Sequence, residues 1–118
     1  MGAVDFSKLE RRWQAEREAR VARSARLRRL LMERRLAVLR DFGVQRAWLF
    51  GSVLEGTAGT TSDIDLLAVP VAPTDYWPLR RDLEAALNYP IDLYTQDDDR
   101  DLVRKVQERG ELVDEVQP

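Results

Sequence analysis

The sequence predicts an α/β (α+β) protein in which a small mixed β-sheet is packed with helices and preceded by a long arginine-rich N-terminal helix. Residues 3–42 contain neither Gly nor Pro and are rich in helix-forming residues. The later residues hold short apolar runs separated by Gly and Pro, which is typical of buried strands. At 118 residues the chain is long enough for one compact domain. We expect a basic helical extension over residues 1–40 and the compact domain over residues 41–118.

The first segment is predicted to form one long helix, or two in series, over about residues 5–40. Its second half carries a leucine stripe at helical spacing, whereas residues 15–25 offer only Ala and Val as apolar side chains. We therefore expect the second half to pack on the domain and the middle to bury little. Gly43 is a candidate for ending the helix. The stripe consists of Leu27, Leu30, Leu31, Leu36 and Leu39.

The remaining residues are predicted to alternate between strands and helices. Strands are expected at 45–50, 63–69 and 91–95, a helical turn at 53–56, helices at 75–88 and 97–109, and an edge strand near 112–113. Thr74 is expected to cap the first of these helices, and Pro90 to follow its end. This order implies one sheet with helices packed on it.

Charge is distributed unevenly along the chain. Residues 1–40 carry 12 basic and five acidic side chains, a net charge of +7, and residues 41–118 carry −9. Such asymmetry favours a basic arm that meets an acidic surface. A solvated helix, a docking surface for another protein and a nucleic-acid contact are the three interpretations of this segment. Because only Trp13 lies among its arginines, the pattern of stacking aromatics that nucleic-acid binding favours is missing.

The absence of Cys and His limits the chemistry. The chain has neither residue, which excludes disulfides, thiol nucleophiles, Ser-His-Asp triads and Cys-based zinc sites. An enzyme of this composition would use carboxylates, hydroxyls or a metal held by oxygen atoms, and oxygen ligands favour Mg²⁺ or Mn²⁺. The lack of Cys fits the cytoplasm. No apolar run is long enough to span a membrane, and we expect no secretory signal.

Two carboxylates interrupt an apolar strand. Asp63 and Asp65 stand two residues apart, so within a strand they would point to the same face, where they could share one divalent cation or bracket two. The alternative is that the strand starts at Ile64 and Asp63 is a turn residue. Asp92 lies between two apolar residues of the next strand and would join them if the strands are neighbours. Three acids in two short strands favour a metal site.

The dipeptide Gly51-Ser52 follows the first predicted strand. A Gly-Ser turn exposes backbone N–H groups and a hydroxyl, which can hold a phosphate at the start of a helical turn. Most such pairs are only turns, so the dipeptide alone is a weak signal.

The spacing of these elements resembles a known family. Gly51-Ser52, ten residues and then Asp63-Ile64-Asp65, within AWLFGSVLEGTAGTTSDIDLLAV, resemble the polymerase-beta-like nucleotidyltransferase superfamily. The segment looks like the minimal nucleotidyltransferases, the antitoxin partners of HEPN toxins, and Gly56 and Ser62 also fit that branch. The resemblance covers about residues 40–94. It implies a nucleotidyltransferase-like fold.

The resemblance also implies an activity and a role for each motif residue. Gly51 and Ser52 would hold the triphosphate of ATP, and Asp63 and Asp65 would bind two Mg²⁺ ions. Asp92 would bind the second ion and help deprotonate the attacking hydroxyl. The implied reaction moves AMP from ATP to a hydroxyl of a protein, with a HEPN toxin as the acceptor and partner.

One departure from the family keeps alternatives open. Many members carry an Arg directly after Gly-Ser, whereas this chain has Val53, Leu54 and Glu55. The first alternative is a catalytically weak binding module that neutralises a HEPN partner by contact through the basic helix. The second is a nucleic-acid binder, which the acidic remainder of the chain disfavours. The N-terminal helix could also pair copies of the chain.

Overall fold

The structure is a computed structural model that describes residues 4–117. Nine elements follow one another within these residues. They are helix α1 (Ser7–Asp41), strand β1 (Arg46–Phe50), short helix α2 (Gly51–Glu55), strand β2 (Ile64–Val69), a 3-10 turn (Pro73–Asp75), helix α3 (Tyr76–Leu87), strand β3 (Ile91–Tyr94), helix α4 (Arg100–Arg109) and strand β4 (Glu111–Glu115). The predicted mixed sheet packed with helices is confirmed.

The four strands form one sheet in the order β3-β2-β1-β4. β1 pairs antiparallel with both β2 and β4, and β2 pairs parallel with β3 through the connection that contains α3. A parallel pair needs such a crossover because the chain must return to the same end of the sheet. As a consequence, the end of β1 and the starts of β2 and β3 meet at one edge of the sheet. This edge is formed by strand ends and not by the outer strands β3 or β4.

The two faces of the sheet are covered differently. One face packs against α1 and α3 and forms the larger core, to which alternate strand residues such as Leu49, Leu66 and Leu93 contribute. The other face is covered by α4 over a smaller cluster that includes Trp48 and Leu67. Since α4 covers only part of this second face, the remainder is available for a site.

Helix α1 has two halves with different surroundings. Leu27, Leu31 and Leu39 are buried in the larger core, as the leucine stripe predicted. Residues 10–22 are all exposed, and Trp13 shows 52% of its surface. We call residues 7–23 the α1 arm, because they extend the protein to 68 Å along its longest axis. The helix ends where Gly43, at φ +71°, donates to the carbonyl of Arg40 at 3.1 Å.

Polar contacts fasten the packed half of α1 to the edge strand β4. Arg28 donates through Nε to Glu111 at 2.7 Å, and its second nitrogen bonds the other carboxylate oxygen. Arg40 binds Asp114 at 2.6 and 3.0 Å, and that carboxylate is buried. Both are fork-like arginine–carboxylate pairs, a geometry that fixes direction as well as distance.

Several predicted boundaries are wrong. The helical turn predicted at 53–56 is the helix Gly51–Glu55, which already includes the Gly-Ser pair. β2 begins at Ile64, so Asp63 lies immediately before the strand. The cap of α3 is Asp75, because the 3-10 turn at Pro73 already includes Thr74. The last helix begins at Arg100, since the side chain of Asp99 accepts hydrogen bonds from two amides of the first turn and caps it there.

No helix within residues 4–117 is both long enough and apolar enough to cross a membrane.

We expect Glu111→Gln to destabilise the protein in a pH-dependent way. The hydrogen bond from Arg28 lowers the pKa of Glu111 from its ordinary 4.5. A lowered folded pKa stabilises the fold above the unfolded value, and this stabilisation is lost as the pH falls. The variant should therefore lose about 0.5–1 kcal/mol of unfolding free energy at pH 7, because the pair is partly exposed, and the difference should shrink below pH 4.5.

Urea denaturation at several pH values measures this difference. Glu108→Gln is the matched control, since its 4.0 Å pair with Arg104 stays within α4. Equal losses in the two variants would contradict a specific role of the α1–β4 contact.

Candidate functional site

The predicted site residues lie at the edge where the end of β1 meets the starts of β2 and β3. Phe50, the last residue of β1, is paired with Asp65, and Asp65 is in turn paired with Asp92. Alternation along the strands puts both carboxylates on the second face of the sheet. Neighbouring strands are about 4.8 Å apart, so this register brings the two acids together. The structure thus confirms that β2 and β3 are neighbours.

The backbone of Gly51 lies directly against the carboxylate of Asp65. Gly51 has φ +73°, and a Cβ atom built on it would stand 2.0 Å from Asp65 Oδ2. A side chain at this position would therefore collide with the carboxylate, in addition to the strain of a positive φ. The glycine of the Gly-Ser pair leaves the space that the acid occupies.

The electrostatics of the site disfavour charge on Asp65. The pKa of Asp65 is raised to about 6. The largest cause is burial, followed by the charge of Asp92, the hydrogen bond that a protonated Asp65 makes to Asp92, and the charge of Asp63. Carboxylates this close repel one another when both are ionised. A bound cation would remove that repulsion, so the carboxylate pair fits a divalent ion held by oxygen atoms.

Asp63 is placed less deeply than the other two acids. It is exposed and precedes β2, while Asp65 and Asp92 are partly buried. Its charge is the smallest of the causes that raise the pKa of Asp65, two residues further along the chain. Across residues 4–117, no group of three or more acidic side chains has the arrangement of a ready metal site. Asp65 and Asp92 therefore form the preformed part, and Asp63 would have to join them.

Helix α2 starts at the same edge, directly after β1. Its N-cap residue is Phe50, whose side chain cannot accept a hydrogen bond, so the first amides of α2 are left for water or an anion. Ser52 is partly buried in the first turn, and Val53 packs in the core. The C-cap of the helix is Gly56, with φ +80°. A phosphate could thus contact backbone N–H groups and one hydroxyl beside the acids.

The loop between α2 and β2 is held by α1 and by the segment that follows α3. The backbone N–H of Ala58 donates to the hydroxyl of the buried Ser24 at 3.0 Å, and Arg23 donates to the Ala58 carbonyl at 2.9 Å. At the other end of the loop, Tyr89 donates to the Ser62 carbonyl at 2.5 Å. These bonds fix the segment that leads into Asp63.

Tyr94 lies beside the acids and is a residue that the sequence analysis does not single out. Its hydroxyl donates a 2.8 Å hydrogen bond to Asp92 Oδ2. This bond, followed by burial, raises the pKa of Tyr94 to about 12, so the phenol stays protonated and acts as a donor. The two-residue spacing from Asp92 was the signal for a shared face, but it does not reveal a hydrogen bond.

Comparison with known proteins agrees with the observed fold. Residues 31–113 match the sequence model of a family described as nucleotidyltransferase domain. A chain from a toxin–antitoxin crystal structure with AMP-PNP is similar at 29% identity and a TM-score of 0.62, over 73% of this chain and 74% of that one. No curated protein shows a match.

Two further toxin–antitoxin structures are similar to this chain. A chain of the MntA–HepT complex has 26% identity and a TM-score of 0.56, over 75% of this chain and 74% of that one. A chain of a complex between the tri-AMPylated HEPN toxin of Shewanella oneidensis and its MNT antitoxin has 25% identity and a TM-score of 0.52, over 75% and 73%.

We expect Gly51→Ala to disturb the site through its contact with Asp65. The matched control is Gly43→Ala, because Gly43 also has a positive φ of +71° but no atom lies within 4 Å of its built Cβ. In both variants, backbone strain should lower the free energy of unfolding by about 1–2 kcal/mol. Only Gly51→Ala should lose further stability from the collision with Asp65. Mg²⁺ should also raise its melting temperature less. The same loss and the same Mg²⁺ response in both variants would show that the collision is unimportant.

We expect Asp65→Asn to stabilise the metal-free protein at neutral pH. The pKa of Asp65 is raised from 3.8 to about 6, so its contribution favours folding below pH 3.8 and is lost as the pH rises through 6. The free energy of unfolding of the variant should be higher by about 1–2 kcal/mol at pH 7.5, after allowance for solvent screening, and unchanged at low pH.

Thermal and urea unfolding between pH 3.5 and 8 test this expectation. Asp63→Asn serves as the control because Asp63 is exposed and should change stability less. An Asp65→Asn profile parallel to that of the unsubstituted chain would contradict the raised pKa.

Proposed function

The chain belongs to the nucleotidyltransferase domain family, and from this we propose that it transfers AMP from ATP to a hydroxyl group of a protein acceptor in a magnesium-dependent reaction. The observation that carries the proposal is the pair Asp65 and Asp92, held side by side next to Gly51 at the start of α2. This arrangement combines carboxylates for a divalent cation with free amides for a phosphate. It needs neither His nor Cys, which the chain lacks.

We assign a role to each residue of the site on this basis. Gly51 and Ser52 bind the triphosphate through backbone N–H groups and the Ser52 hydroxyl. Asp63, Asp65 and Asp92 hold two Mg²⁺ ions, for which Mn²⁺ is a substitute of similar ligand preference. When bound, the ions lower the pKa of the attacking hydroxyl and offset charge on the leaving group. The raised pKa of Asp65 agrees with a site that is completed by a cation.

The proposed reaction is a displacement at the α-phosphorus of ATP. The acceptor oxygen forms a bond to that phosphorus, the bond to the bridging oxygen of the β-phosphate breaks, and pyrophosphate leaves with the electron pair. The proton of the acceptor hydroxyl passes to Asp92, which lies beside Asp65 on the second face of the sheet. The chain supplies position and charge and forms no covalent bond to AMP.

The acceptor that we propose is a HEPN-family toxin, which would make this chain its antitoxin. The support is the likeness to chains from toxin–antitoxin complexes, one with AMP-PNP and one with a tri-AMPylated HEPN toxin. A protein acceptor also suits a site at an open sheet edge. The α1 arm provides a long exposed surface next to this edge, because Ser24 and Arg23 contact the loop before Asp63.

A second candidate function is neutralisation of the same partner by contact alone. Two observations favour it: the exposed, arginine-rich α1 arm and the absence of an arginine at the three positions after Ser52. In this case the carboxylates would be inherited features of the fold, and binding would depend on residues 7–23.

Intact-mass spectrometry of a purified HEPN-family protein, incubated with this chain and Mg–ATP, separates the two functions. We expect mass increments of whole AMP units on the HEPN protein. Asp63→Asn should abolish transfer, since it removes a proposed metal ligand, and should leave binding unchanged in size-exclusion chromatography. The control is Asp41→Asn, which removes an exposed carboxylate at the end of α1, away from the site.

A stable complex with unchanged mass in the unsubstituted chain would favour neutralisation by contact. Loss of both transfer and binding in Asp63→Asn would show that the acid contributes to the interface, and that contact and chemistry are not separable at this residue.

A further inference from the structure

Tyr94 differs from the other two tyrosines of the chain in the partner of its hydroxyl. Tyr76 and Tyr89 donate to backbone carbonyls, those of Leu93 and Ser62, at 2.9 and 2.5 Å. Tyr94 instead donates to a side-chain carboxylate, Asp92 Oδ2, at 2.8 Å. A carbonyl suffices as the hydrogen-bond partner of a phenol, as Tyr76 and Tyr89 show, whereas Tyr94 is paired with an acid of the site.

The ring of Tyr94 is itself fixed. It meets Phe50 edge-to-face, with ring centroids 5.1 Å apart and planes at 64°. Phe50 directly precedes Gly51, and the smaller hydrophobic cluster that includes Trp48 and Leu67 packs against both rings. The phenol hydroxyl therefore has a set position between the two halves of the site, the end of β1 and the start of β3.

The hydrogen bond acts on one oxygen of Asp92 only. A carboxylate has two oxygen atoms, and a donor fixed on Oδ2 restricts rotation of the group and leaves Oδ1 for another ligand. It also offsets part of the repulsion between Asp92 and the neighbouring Asp65. Outer hydrogen-bond partners of this kind commonly orient metal-binding carboxylates.

We propose that Tyr94 is a positioning residue: its hydroxyl orients Asp92 so that the free carboxylate oxygen can bind the cation that Asp92 shares with Asp65. The inference rests on the proposed function, because it concerns the same acids. It adds that the strength of metal binding is set by a residue of β3 that acts through Asp92.

The test compares Tyr94→Phe with Tyr76→Phe. Each substitution removes one hydroxyl hydrogen bond and keeps the ring, and Tyr76 lies on α3, which packs on the opposite face of the sheet. Mg²⁺ affinity is measured by calorimetric titration in the absence of nucleotide, at a temperature where both variants are folded. Tyr94→Phe should weaken Mg²⁺ binding about 10-fold, and Tyr76→Phe should leave it unchanged.

A rate measurement provides the second readout. In the AMP-transfer assay, Tyr94→Phe should raise the Mg²⁺ concentration for half-maximal rate by the same factor, with the maximal rate at saturating Mg²⁺ largely restored. A merely structural role would not produce such a recovery. Unchanged Mg²⁺ affinity in Tyr94→Phe, or equal losses in both variants, would overturn the inference.

The calorimetric titration separates this inference from the proposed function. If the unsubstituted chain binds Mg²⁺ but transfers no AMP, the proposed activity fails, and the affinity of Tyr94→Phe still decides the role of Tyr94. If the unsubstituted chain binds no Mg²⁺, the positioning role is overturned together with the metal site.

Discussion

The register of β2 against its two neighbours is the constraint on which the site depends. Antiparallel pairing sets Asp65 opposite Phe50, and parallel pairing sets it opposite Asp92. A slip of one residue would turn Asp65 into the apolar core and Ile64 into the site, because side chains alternate between faces. The buried leucines and isoleucines of β2 and β3 exclude this slip, so the large core of one face fixes the acids on the other.

Stability and chemistry oppose each other at this edge of the sheet. Asp65 is partly buried beside a second acid, which raises its pKa to about 6, and Gly51 has a backbone conformation that other residues rarely adopt. Neither feature favours folding by itself. Both are maintained by packing elsewhere, above all by the core between the sheet and helices α1 and α3. The pattern is typical of a site preorganised for a ligand that supplies the missing charge.

Helix α1 connects the exposed arm to this site. Its buried leucines belong to the main core, and its arginines bind Glu111 and Asp114 on β4. Ser24, where the arm meets the packed half, accepts a hydrogen bond from the loop that leads into Asp63. A partner on the arm would therefore act on a helix that already holds one wall of the site. The helix serves as part of the core and as a surface.

The sequence by itself determined the helices and strands and the unusual acids, since these depend on local patterns of apolar residues, Gly and Pro. It determined the ends of elements less well: Asp99, and not the earlier acids, caps α4, and Asp63 lies outside β2. Only the tertiary structure decided that Asp65 meets Asp92 above Gly51 and that Tyr94 bonds Asp92. These contacts join separate strands, and their register is set by core packing between distant segments, which local sequence patterns do not encode.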